Sequence, residues 1–141
     1  MLKNQHNFVI PETQDISELV SLLDDNFTIH VQPEAVSYRV FYDTFDWRLY
    51  KNGSALEMHE DDNVRKIYWR AGKKGKLKIQ LGLKRVPPLA SELPHGDFRQ
   101  QLESVASVRE LIPCVRVKIK HLPVVVLGKD EKVVVRVSFD A

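Results

Sequence analysis

The sequence predicts an α+β fold built mainly on antiparallel strands. Several segments alternate apolar and polar residues with the period of two that a strand requires, as in Val115-Arg116-Val117-Lys118-Ile119-Lys120. Short turn-forming stretches ("EDDN", "AGKKG", "GKDEK") separate most of these segments, and such links join antiparallel neighbours. Only two segments place apolar residues at helical spacing. Together they predict eight strands and two helices, an arrangement compatible with a closed or nearly closed barrel.

The elements follow in order. "HNFVIP" reads as a short strand closed by Pro11. In "TQDISELVSLLDD", Thr13 stands where an N-cap is expected, and Ile16, Leu19, Val20 and Leu23 form an apolar stripe. "VSYRVFYDT" is β-branched and aromatic, so it reads as a strand. "FDWRLYKNGS" is a turn region whose strongest signal is Asn52-Gly53. "SALEMHE", "VRKIYWR" and "KLKIQLGLKRV" are successive strands. After the irregular "VPPLASELPHG" comes a helix over "DFRQQLESVASVRELI", with Phe98, Leu102, Val105 and Leu111 as its buried stripe. "PCVRVKIKH", "PVVVLG" and "VVVRVSFD" complete the strands.

With 141 residues the chain suits one domain with a single core, residues 1–141. Its 43% hydrophobic and 28% charged residues are those of a globular protein. A net charge of +2 names no partner, so only the local distribution of charge informs. The lone Cys114 excludes an intrachain disulfide. The longest apolar run, "LPVVVLG", is too short to span a bilayer as a helix, and a cytoplasmic location is expected. Ending in "VVVRVSFDA", the chain reads as the front part of a longer protein.

Several strands combine an apolar face with a cation-rich one. Arg116, Lys118 and Lys120 alternate with Val115, Val117 and Ile119; Lys76, Lys78 and Lys84 alternate with leucine and isoleucine. Lys66 and Arg70 share a parity with Tyr68, and Glu57 shares one with His59. Cations that converge repel one another unless an anion sits among them, and phosphate chains match both arginine forks and lysine point charges. A solvated polar face is the simpler explanation for any single strand. Asp43, Thr44 and Asp46 read as turn residues, and Trp47 and Trp69 as packing residues. The short basic "GKKGK" reads as an exposed turn, and nucleic acid is not an expected partner.

In "YDTFDWRLYKNGSALE", residues Phe41, Tyr42, Asp43, Thr44, Asp46, Arg48, Leu49, Asn52, Gly53, Ala55 and Leu56 follow a segment of the CYTH superfamily, the triphosphate tunnel metalloenzymes. "LIPCVRVKIK" resembles that family's basic strand, and Arg136 and Asp140 stand where its next strand has an arginine and an acid. The order of elements agrees over nearly the whole chain. The resemblance implies a tunnel of eight antiparallel strands with helices outside. It implies a triphosphate gripped by basic side chains, here Arg39, Lys66, Arg70, Lys76, Lys78, Arg116, Lys118 and Arg136. It also implies magnesium or manganese held by carboxylates, a soluble bacterial chain, and in many such chains a following helical CHAD domain.

The sequence departs from the family where the metal should bind. The ExExK motif falls on Lys3, Gln5 and Asn7, and two phosphate-gripping arginines become Glu57 and His59. Glu57 and Asp140 are the remaining candidate metal ligands. The expectation is therefore a CYTH-like tunnel domain that binds triphosphate or polyphosphate-type anions with weak or no hydrolysis. The alternatives are a metal-dependent inorganic triphosphatase with a rebuilt site, and a non-catalytic scaffold or interaction module.

Overall fold

A computed structural model describes residues 5–72 and 77–141. Two compact units are present: one takes in the chain up to Glu34 together with His121–Asp140, the other takes in Ala35–Lys120 and Ala141. Seven strands occur among the described residues, and five pairs of neighbours among them run antiparallel. No helix among them is long and apolar enough to cross a membrane.

The larger unit is a sheet in the order β6-β2-β3-β4-β5. Its strands are β2 (Ala35–Asp43), β3 (Ala55–Asp61), β4 (Val64–Ala71), β5 (Leu77–Leu81) and the first part of β6 (Ile112–Leu127). One face is apolar because alternation selects it. Leu56 and Met58 of β3 and Ile67 and Trp69 of β4 are buried there, with Val40 and Tyr42 of β2 packed beside them. Helix α3 (Asp97–Ala106) covers this face with Phe98, Leu102 and Ala106, which recur at i, i+4, i+8. Trp69 donates its indole N–H to Gln101 of that helix at 3.0 Å, so the one polar atom of a buried ring is satisfied. α3 stops well short of residue 112 because Ser107 turns the backbone to φ 54°, and Leu111 is buried from outside the helix.

β2 reaches β3 through the segment that carries the family resemblance, and the roles there are structural. The Asp43 carboxylate is buried and accepts three backbone N–H groups: Thr44 at 2.7 Å, Leu49 at 3.0 Å and Tyr50 at 3.1 Å. The last two are orphan donors in the first turn of α2 (Arg48–Lys51), a single helical turn within the expected turn region. Thr44 Oγ1 accepts the Arg48 N–H and donates to Asp46. Hydrogen bonds from Arg48 and Thr44 hold the Asp46 carboxyl down at about 2. Gly53, at φ 69°, ends this turn: its N–H reaches Tyr50 O at 3.0 Å and the next reaches Leu49 O at 3.0 Å. Asn52-Gly53 thus terminates a helical turn rather than closing a hairpin. Trp47 is half-exposed at φ 57°, against the expectation of a packing residue, whereas Trp69 meets it. β3 and β4 meet in a two-residue turn, Asp62-Asn63, with both φ values positive, which suits the right-handed twist of the strands.

The smaller unit contains α1 (Ile16–Asn26), β1 (Thr28–Val31), the last part of β6 and β7 (Val133–Asp140). β6 pairs with β1 and with β7 here. The N-cap of α1 is Asp15, not Thr13: Gln14 N–H bonds Pro11 O and keeps that stretch in a turn, so the helix starts later, and Asp15 accepts the Ser17 N–H at 2.9 Å. Residues 5–10 form no strand, and Phe8 and Val9 are exposed. "PCVRVKIKH" and "PVVVLG" are one 16-residue strand, not two. Pro123 lies inside it, and its carbonyl accepts the Gln32 N–H at 2.8 Å. β1 was not expected; four residues are too few to show a period.

Candidate functional site

The face of the larger sheet opposite its core is polar. Register alone assembles it, because directly paired residues lie on one face. Arg39 pairs with His59, and His59 pairs with Lys66. Phe41 pairs with Glu57, Glu57 with Tyr68, and Tyr68 with Gln80. Ala55 pairs with Arg70, and Arg70 with Lys78. The acids on this face are Glu57 and, at its hairpin end, Asp61.

Glu57 is the centre of the arrangement. Its side chain is buried, and one oxygen, Oε2, accepts from Arg70 Nε at 2.8 Å and from His59 Nε2 at 3.1 Å. Arg70 reaches it diagonally across the β3–β4 ladder, and His59 reaches it along β3. Burial alone would raise the Glu57 pKa. The hydrogen bonds from His59 and Arg70, with their charges, outweigh burial and bring it down to about 2. The His59 ring also lies against Tyr68, with centroids 4.3 Å apart and planes at 45°. The sequence signal for Tyr68 on this face is the parity it shares with Lys66 and Arg70. Arg39 and Lys66 make no ion pair with a carboxylate among the described residues.

The basic residues named from the sequence are thus only partly brought together. Arg39, Lys66 and Arg70 share the polar face, and Lys78 holds a register position on it. Lys76 lies outside the described residues, as does Lys3 of the altered motif. Arg136 belongs to the smaller unit, opposite Val125. Arg116 goes elsewhere: its guanidinium lies 4.6 Å above the ring centroid of Tyr38. Tyr38 neighbours Arg39 in β2 and shares the parity of Val40 and Tyr42, so it belongs to the core-side face. Arg116, and Lys118 two residues on, therefore alternate away from the Glu57 face. The apolar face of this segment is not covered at Val115 and Val117, which are 55% and 37% exposed.

The two candidate metal ligands are both engaged. Glu57 is committed to Arg70 and His59. Asp140, in the smaller unit, lies 2.7 Å from His121 Nδ1 and accepts from Ser138 Oγ. Among the described residues no group of three or more His, Cys, Asp or Glu side chains is placed to hold a metal ion. Magnesium or manganese at Glu57 does not fit this donor set: hard cations take converging free oxygens, and this oxygen already carries a guanidinium.

No family model matches the chain, and no curated protein matches it. Its fold does resemble a solved structure. A candidate adenylate cyclase of Bacillus halodurans superposes with a TM-score of 0.54 at 12% identity, over 91% of this chain and 69% of that one. The likeness is one of fold.

Proposed function

We propose that the chain is a CYTH-like tunnel domain whose polar sheet face binds a triphosphate or polyphosphate-type anion with weak or no hydrolysis. One observation carries this reading. The buried acid of the face, Glu57, is consumed by Arg70 and His59, while Arg39 and Lys66 stand beside it with no carboxylate partner among the described residues. Cations held on one face without counter-ions favour an anionic guest. Arginine and lysine together suit phosphate oxygens. The fold likeness and the 41–56 segment support the tunnel-type architecture.

Hydrolysis is weak or absent in this reading because metal-assisted phosphoryl transfer needs a converging ligand set, and Glu57 stands alone among cations with its Oε2 bound to Arg70 and His59. The gripping residues are Arg39, Lys66 and Arg70, with Lys78 beside them. Titration calorimetry with tripolyphosphate at low ionic strength tests the proposal. Binding is expected, with affinity lowered about tenfold or more by Lys66→Glu or Arg39→Glu. No heat of binding, with both variants silent, overturns it in favour of a scaffold whose polar face is neutralised internally; the Glu57–Arg70 pair is the observation on that side.

A further inference from the structure

Glu57 is the buried acid of the polar face and one of the two candidate metal ligands, yet its surroundings are those of a counter-ion. A divalent cation at Oε2 would displace the Arg70 Nε donor at 2.8 Å and the His59 donor at 3.1 Å. It would meet the Arg70 guanidinium directly, with Arg39 and Lys66 flanking His59 on the same face. The other acid of the face, Asp61, is four residues along β3 and exposed at the hairpin end. Two carboxylates so far apart on one strand do not converge on one ion.

The Arg70 side has the complementary property. Among the described residues only its Nε has a hydrogen-bond partner, so Glu57 anchors the guanidinium by one nitrogen, the two terminal nitrogens have no described partner, and the side chain stays about one-third exposed. A guanidinium held by one edge presents its other edge as a fork, the shape that takes two phosphate oxygens. We infer that Glu57 is a positioning residue that fixes Arg70 as an anion clamp, and that anion binding on this face needs no divalent cation. The second half rests on the anion-binding reading; the assignment of Glu57 to Arg70 stands without it.

The experiment is NMR and calorimetry on the full chain, wild type beside Glu57→Gln, with Mn²⁺ and tripolyphosphate as probes. In the wild type the Arg70 Nε–H resonance is expected to be sharp and slow to exchange with water, and millimolar Mn²⁺ is expected to leave it unbroadened. Glu57→Gln should expose that proton to exchange and weaken tripolyphosphate binding about tenfold. Chelating all divalent cations with EDTA should change the wild-type affinity by less than about twofold. Mn²⁺ that broadens the Arg70 signal in the wild type overturns the assignment. So does binding that vanishes in EDTA and returns with Mn²⁺. If tripolyphosphate fails to bind with or without metal, the anion-binding reading falls and takes the second half with it. The Arg70 resonance and its response to Mn²⁺ then still decide the first half. The Mn²⁺ titration needs only wild-type protein, so a Glu57→Gln chain that fails to fold does not remove the test.

Discussion

Two equally buried acidic side chains show how the donors separate a structural carboxylate from an electrostatic one. Asp43 is buried with three backbone N–H donors on its oxygens, so it holds the β2–α2 corner. Removing it leaves those donors unpaired in a dry turn. Asp43→Ala is expected to cost about 2–4 kcal/mol, read as a shift of the urea midpoint. Glu57 instead stabilises through its charge. Its pKa falls from an ordinary 4.5 to about 2 because the donated hydrogen bonds and the Arg70 charge outweigh burial. A lowered folded-state pKa contributes stability that is complete above 4.5 and is lost as the pH falls toward 2. A change of that size is worth roughly 3 kcal/mol at most. Urea midpoints measured across this window should fall for the wild type and fall less for Glu57→Gln.

At the scale of elements, β6 shows both what local pattern can reveal and where it stops. The strict alternation of residues 115–120 is visible in the sequence, and a strand forms there. Which parity turns toward the core is not visible, because the partner strand decides it. Arg116 lies over Tyr38 of the core-side face, and Val115 and Val117 are open to solvent. The same reasoning explains why "HNFVIP" has strand composition without being a strand in the described residues 5–10: the pattern supplies a face but no partner. It also explains why a proline at 123 suggested a break that pairing on both sides overrides. By contrast β3, β4 and the core of α3 were legible, since their apolar residues keep one period and meet one partner face. The pairing of Glu57 with Arg70 lay beyond the sequence for the same reason as the β6 face. It depends on a cross-strand diagonal that only the register creates. The two valine environments separate by mutation. Val124 is fully buried, so Val124→Ala is expected to cost about 1–3 kcal/mol, whereas Val115→Ala should stay within about 0.5 kcal/mol. Chemical denaturation of the two variants gives the comparison.

For the molecule as a whole, the charge balance is nearly neutral while its distribution is not. The chain carries 21 Lys and Arg against 19 Asp and Glu, so long-range attraction for an anion is weak. Any selectivity for a polyanion must then come from short-range contacts on the face that holds Arg39, Lys66 and Arg70. These contacts differ in exposure, and the difference predicts how salt acts. Lys66 is exposed, and its attraction for phosphate is screened once the Debye length drops from about 10 Å at about 0.1 M salt to about 3 Å at about 1 M. Arg70 is half-buried and tied to Glu57, so its contact is a charge-assisted hydrogen bond that salt weakens less. Tripolyphosphate affinity should therefore fall with added salt and approach a residual level rather than vanish. Lys66→Ala should flatten the salt dependence while keeping that residue of binding. Arg70→Ala should remove the residue of binding at high salt and also free the Glu57 charge to repel the ligand, so its loss should exceed that of Lys66→Ala under every condition. Calorimetric titrations of the three proteins along a salt series measure the slopes. Equal losses for the two variants at high salt would mean that Glu57 does not hold Arg70 as a distinct clamp.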